Sequence, residues 1–248
     1  MNVDALRQHL VNGGQVRQDG KIHHLSIPPA PDSTYTDAQI DDYAHDTPRL
    51  FSNRPPQKLK LRARFSHTDF KGTAGFGFWN HPFSRSGAIL APPANIWFFF
   101  SSVESDLQLS SRSIGHGFKA SVLNSGQYPQ SLMRLLTRPM NWLLTKPRLS
   151  RLLMNFARAT VKVEETPLAV LMTEWHAYEI EWRSELTILR VDGRDVAHAQ
   201  HPPRMALGFA AWIDNYCATA NASGEYAFAC VTVPQEQWME LEIMNSYD

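Results

Sequence analysis

Cysteine is almost missing from this chain: Cys217 and Cys230 are the only two in 248 residues. Two thiols cannot staple a disulfide framework, and a chain of this length buries enough core to fold without one. Long apolar runs are missing too. The densest stretch, Ile96 to Phe100, has the length of a strand, far short of the roughly 20 apolar residues that cross a bilayer. The opening MNVDALRQHLVNGG lacks the basic start and apolar run of a secretory signal. These absences give the expectation of a cytoplasmic protein with reduced thiols, in which the Asn221-Ala222-Ser223 sequon is accidental.

The usual reaction signatures are also missing. There is no Gly-x-Ser-x-Gly elbow, no phosphate loop and no dinucleotide fingerprint, and the scattered histidines, among them His23, His24, His81, His116, His176, His198 and His201, show no metal-ligand spacing. No metal and no cofactor is expected. The 24 basic and 24 acidic residues balance, which argues against a polyanionic partner. One sign of charge is nevertheless missing locally. No acid lies between Asp106 and Glu164, whereas Arg112, Lys119, Arg134, Arg138, Lys146, Arg148, Arg151, Arg158 and Lys162 do. The counterweight is near the start, in Asp32, Asp37, Asp41, Asp42 and Asp46. This basic stretch lacks the interleaved exposed aromatics of a single-strand reader, so no nucleic-acid partner is expected.

What the chain does have is period 2. Leu59, Leu61, Ala63 and Phe65 alternate with Lys58, Lys60, Arg62 and Arg64, the pattern of a strand with one wet face. GTAGFGFWNHPF (72–83) and ANIWFFFSSVESD (94–106) are aromatic enough to be strands buried on both faces. GHGFKASVLN, EWHAYEIEW, LTILRV, RMALGFAAWIDNY, YAFACVTV and WMELEIMN add further strands. Asp19-Gly20 and Asp192-Gly193 mark hairpins. Residues 1–14 read as a short helical or irregular start, and 28–56 as an extended surface segment without a period. About a dozen strands predict one all-β, two-sheet antiparallel sandwich over 1–248. Residues 128–160 interrupt it. Leu132, Leu135, Leu136, Met140, Leu143 and Leu144, then Leu149, Leu152, Leu153 and Phe156, recur at helical spacing with arginines opposite. Pro147 suits a first helical turn with Thr145 as its cap. Three readings of this basic amphipathic insert stand: a cap on one end of the sandwich, a lid over an apolar pocket, or a contact with a membrane surface through 130–158.

HAYEIEWRSELTILRVDGRDV (176–196) resembles the stretch of glycoside hydrolase family 16 that reads His-x-Tyr-x-Ile-x-Trp, then an apolar strand and Val-Asp-Gly. LKLRARF and GTAGFGFWN resemble that family's strands ahead of its catalytic strand, and QWMELEIMN its closing strand. The likeness covers 58–248 without the insert and implies a concanavalin A-like jelly roll. The family's catalytic strand carries Glu-x-Asp followed by a second Glu. Glu104-Ser105-Asp106 is the nearest match, and the acid/base would fall on Gln108 or Leu109. A retaining glycosidase needs two carboxyl groups about 5–5.5 Å apart, so the dyad implied by the resemblance is incomplete here.

The remaining candidates come from the residues themselves. Trp79, Trp97, Phe99 and Trp212 lie on three strand signals and would line a concave face, with Asn215 beside them as a ligand contact. Asp214 shares the face of Trp212 on period 2. It is either a turn hydrogen-bonder or, desolvated, a general acid, with Asn80 and His81 as polar partners. The first functional expectation is an apolar or amphipathic small-molecule ligand under the insert, with acid-assisted chemistry. The second is glycan binding or cleavage using Glu104 and Asp106. The third is a peripheral membrane or partner-binding module. Finally, WIDNYCATANASGEYAFAC reads as a hairpin turning near Ser223-Gly224, which would set Cys217 opposite Cys230.

Overall fold

The computed structural model describes residues 6–43, 51–82, 89–108, 115–126 and 139–244. Numbered in chain order, the first of two seven-stranded antiparallel sheets runs β1 (Arg7–Val11), β4 (Asp37–Asp41), β14 (Gly208–Asp214), β6 (Thr73–Trp79), β7 (Ala94–Ser101), β9 (Gly117–Asn124), β10 (Lys162–Pro167). The second runs β13 (Arg194–Ala199), β12 (Thr187–Val191), β11 (His176–Trp182), β5 (Gln57–Phe65), β17 (Gln237–Met244), β3 (Ile22–Ile27), β2 (Gln15–Asp19). A small third sheet joins β16 (Tyr226–Cys230) and β15 (Tyr216–Ala220) to β8 (Asp106–Leu107), the last pairing parallel. This is the expected all-β jelly-roll sandwich of the concanavalin A-like type.

Alternation explains why the sheets face each other. Ala74, Phe76 and Phe78 of β6, Ile96, Phe98 and Phe100 of β7, and Phe209, Ala211 and Ile213 of β14 point inward. They meet Leu59, Leu61 and Phe65 of β5, Leu241 of β17, and Tyr178, Ile180 and Trp182 of β11. Tyr178 lies 4.9 Å by ring centroid from both Phe76 and Phe98. Trp182 packs 5.5 Å from Phe78 and donates its indole N–H to the carbonyl of Pro203 at 2.8 Å. The His-x-Tyr-x-Ile-x-Trp motif is therefore a packing motif, whose rings hold the two sheets together. Its alternate residues, Glu179 and Glu181, face solvent and pair with Lys58, Lys60, Arg183 and Arg190.

Four local expectations change, the last of them the cysteine register. The period-less segment 28–56 supplies β4, which inserts between β1 and β14 and is buried along its whole length. Its inward residues, Ala38 and Ile40, are too few to register as a pattern. The start of the chain contributes the edge strand β1 rather than a helix. Thr145 does not cap the helix Pro147–Thr160. Its hydroxyl instead donates to the carbonyl of Trp142 at 2.7 Å, closing the helical turn before it. The hairpin at Asp192-Gly193 forms as read, with both residues at positive φ (50° and 75°) between paired Val191 and Arg194.

The cysteine hairpin forms one residue out of the expected register. Tyr216 pairs with Cys230 and Cys217 with Ala229, so the two free thiols project from opposite faces. Of the insert, only 139–160 falls among the described residues. Leu132, Arg134, Leu135, Leu136 and Arg138 lie outside them, as do Asp46 and Arg112.

Candidate binding site on the outer face

The outer face of the first sheet collects the residues that alternate with the core. In register from row to row, β4 presents Asp37, Gln39 and Asp41, and β14 presents Asp214, Trp212 and Ala210. Next, β6 presents Thr73, Gly75, Gly77 and Trp79, and β7 presents Ser101, Phe99, Trp97 and Asn95. Lys119, Ser121 and Leu123 of β9 and Glu165 of β10 complete the face. Trp79, Trp97, Phe99 and Trp212, all inferred from sequence, thus come together in one aromatic floor. Trp79 stacks parallel to Trp212 at 6.0 Å, Trp97 on Phe99 at 5.0 Å, and Trp97 lies 5.2 Å from Trp212.

Glycine makes this floor possible. A Cβ on Gly77 would lie 2.6 Å from the Cα of Trp97, and one on Gly75 would lie 3.0 Å from the ring of Trp212. With hydrogen in place of Cβ, the indoles lie down across β6. Polar neighbours fix their orientation. Trp212 donates its N–H to the Thr73 hydroxyl at 3.0 Å, and Trp79 donates to the Tyr43 hydroxyl at 2.9 Å. That phenol oxygen also accepts from Gln39 at 3.4 Å and lies 3.0 Å from His81 Nδ1. His81 holds a positive φ of 44° and packs 4.5 Å from Trp79.

The floor has two polar walls. On one side Gln39 donates to Asp41 at 2.7 Å, and His9 lies 3.8 Å from Asp37. On the other, Lys119 and Glu165 form a buried ion pair at 3.0 Å, with the Lys119 ammonium 5.8 Å from the Phe99 ring. Ser121 donates to one oxygen of Glu165 at 3.3 Å, and the other, Oε2, is buried without a partner. The buried Asn95 Oδ1 is likewise unpaired. Both acceptors flank Trp97: Asn95 two residues back on the same strand face, Glu165 two strands across through Ser121. Strand geometry puts these at about 7 Å and about 10 Å between backbones.

The Asp214 end of the face is closed. The small third sheet lies over it, with Leu107 packed against the aromatic cluster. The Asp214 carboxylate accepts from the backbone and hydroxyl of Thr73 at 3.2 and 2.7 Å, the Tyr216 N–H at 3.1 Å, and the Tyr35 hydroxyl. Burial nevertheless raises its pKa to about 6. Asn80 and Asn215 brace loops. Asn80 donates to the carbonyl of Pro92 at 2.7 Å and accepts from Ala94 at 3.0 Å. Asn215 accepts from Thr36 at 2.9 Å and donates to the carbonyls of Thr34 and Val231 at 2.8 and 3.0 Å.

Glu104 and Asp106 do not share a strand face. A turn in which Ser105 donates its N–H to the carbonyl of Ser102 separates both from β7. Glu104 stands at the surface, paired with Lys71 at 2.7 Å, which holds its carboxyl below the usual range. Asp106 sits in β8 and accepts from Asn221 at 2.8 Å. β7 follows β6 in the sheet. It offers Asn95, Trp97, Phe99 and Ser101 to the outer face, with no carboxylate. Tyr43, Gln39, Asp41, Lys119, Glu165 and Asn95 were not expected from sequence to belong to a site. The available signal for Asn95 was its place at i−2 from Trp97 within an otherwise apolar run.

Two seven-stranded sheets, one with an aromatic outer face between polar walls, define a jelly-roll sandwich. No protein-family model matches the chain, and no curated protein sequence matches it. Among solved structures it is similar to the Crh5 transglycosylase in complex with NAG, at 12% identity over 98% of this chain and 79% of that one, TM-score 0.46. It is also similar to a glycosyl hydrolase family protein from Mycobacterium fortuitum, at 10% identity over 98% and 93%, TM-score 0.47. A third is the Emp47p carbohydrate recognition domain, at 9% identity over 98% and 89%, TM-score 0.47. The fold assignment rests on the strand order and register given above.

Proposed function

We propose that the outer face binds a carbohydrate without cleaving it, a sugar ring lying on Trp97 with its hydroxyls directed to Asn95 and Glu165. The observation that carries this reading is the pair of buried, unpaired acceptors on either side of that indole. Buried acceptors without donors cost about 1–3 kcal/mol each. A hydroxyl-bearing ring supplies both donors while its C–H face covers the aromatic ring. An apolar ligand covers the ring and leaves both acceptors unpaired, so the same floor favours the amphipathic partner. Both acceptor atoms are shielded from water, so binding includes an opening step. The lack of a carboxylate on β7 and the enclosure of Asp214 support binding over two-carboxylate hydrolysis at Trp97.

Tryptophan fluorescence titration with gluco-, xylo- and chito-oligosaccharides tests this reading. Trp97→Ala is expected to weaken binding by about thirtyfold. Asn95→Ala is expected to weaken it by about tenfold while leaving thermal stability close to wild type, since the deleted oxygen accepts nothing in the free protein. Saturable quenching by an apolar dye, with no response to any sugar and no effect of Asn95→Ala, would overturn the proposal in favour of an apolar ligand.

A further inference from the structure

The helix Pro147–Thr160 leans on the body along one side. Ser150 is buried and donates its hydroxyl to the Gly224 carbonyl at 2.5 Å, and Arg151 donates to that of Ser223 at 2.9 Å. The fit against the β15–β16 turn is close, since a Cβ on Gly224 would meet the Arg151 backbone at 2.5 Å. Another side of the helix carries Leu149, Leu152 and Phe156. At i, i+3 and i+7 these fall within about 60° of one another around the axis. Leu152 is 68% exposed, Phe156 66%, and Trp142 in the preceding helical turn 59%. Lys146 and Arg148 stand exposed beside them, as does Lys162 just past the helix. No acid occurs in sequence from 107 to 163.

We propose that this face of the insert docks in the plane of an anionic lipid surface, with Leu149, Leu152 and Phe156 in the acyl boundary and the basic edge among the headgroups. A clustered apolar stripe facing water marks an interaction surface. Charge decides the occupant. A second copy would set one acid-free insert against another, like charge to like. A bilayer containing anionic lipid offers a continuous apolar layer beneath dispersed negative charge, the complement of this stripe and edge. The contact is interfacial, because no helix among the described residues is long and apolar enough to cross a membrane.

Co-sedimentation of the full chain with vesicles of phosphatidylcholine and phosphatidylglycerol in equal parts provides the test. Wild-type protein should sediment with these at low salt and be released by high salt, and should sediment at least about tenfold less with phosphatidylcholine alone. Leu152→Glu, at a site open to solvent, should lose at least about tenfold of the binding with an unchanged melting curve. Arg148→Glu should lose at least about fivefold and show a weaker salt response. No binding to the anionic vesicles at low salt, or undiminished binding by Leu152→Glu, would overturn the assignment. So would self-association in solution that Leu152→Glu abolishes, since that result gives the stripe to a second copy.

Discussion

Asp214 and Asn95 stand at opposite ends of the outer face and illustrate two ways a buried polar group shapes a protein. Asp214 accepts hydrogen bonds from Thr73, Tyr216 and Tyr35, yet desolvation outweighs them and its pKa rises to about 6 from 3.8. A carboxyl whose folded value exceeds its unfolded one favours the fold while protonated. That contribution is complete below about pH 3.8 and is lost as pH rises through about 6. Asp214→Asn cannot ionise, so stability measured by urea unfolding should fall less steeply from about pH 4 to pH 7 in the variant. The difference should approach about 3 kcal/mol, the worth of a shift of this size in a fully buried group. Parallel pH profiles for the two proteins would show that Asp214 titrates normally. Asn95 is the opposite case, a buried acceptor with no donor in the free protein, and its effect is expected on ligand binding alone.

At the scale of elements, the floor is a property of β6 as much as of the tryptophans. Thr-Ala-Gly-Phe-Gly-Phe-Trp puts Ala74, Phe76 and Phe78 into the core and leaves Gly75 and Gly77 under the rings of β7 and β14. A Cβ at Gly77 would meet the Ile96 carbonyl at 2.4 Å, in a backbone conformation of φ 149°. Gly77→Ala should therefore cost roughly 2–4 kcal/mol, from overpacking against backbone added to a φ that side chains disfavour. It should also displace Trp97, so a loss of sugar binding in the protein that remains folded, read by fluorescence below its melting transition, checks the second half of the argument. Unaltered stability and binding would mean that the two strands separate without cost. The aromatic floor was legible in sequence because period 2 places Trp79, Trp97, Phe99 and Trp212 on the face opposite the core. The walls were not. Tyr43, Gln39 and Asp41 come from a segment whose pairing with β14 spans more than 160 residues, and Glu165 reaches Trp97 only through the β9–β10 register. Asn80 and Asn215 drew attention as polar residues ending aromatic strands. Their amides instead satisfy loop backbone, which is also why asparagine is common there.

At the scale of the whole molecule, the insert is an excursion from a hairpin. β9 and β10 are neighbours in the first sheet, and Asn124, before the insert, pairs directly with Lys162 after it. Joining 124 to 162 by a short Gly/Asn turn therefore closes an existing antiparallel pair, and shortening a loop costs little chain entropy. Among the described residues, what is removed includes the contact of Ser150 and Arg151 with the turn at Ser223 and Gly224, and the paired hydrogen bonds between Asn141 and Ile89 at 2.9 and 3.0 Å. Neither belongs to the two-sheet core, so the shortened protein should fold cooperatively with a melting temperature lower by only a few degrees. Its two proposed binding functions should then separate. Sugar binding should persist, because Trp97, Asn95 and Glu165 are placed by strands outside the deleted segment. Vesicle association should vanish with Leu149, Leu152 and Phe156. A lid over the outer face would give another pattern, with ligand affinity falling as the melting temperature holds. An insert integral to the core would give an insoluble or much less stable protein. Calorimetric melting, oligosaccharide titration and vesicle sedimentation on this one variant distinguish the three, and retained sugar binding with lost vesicle binding is the outcome that the placement of these residues requires.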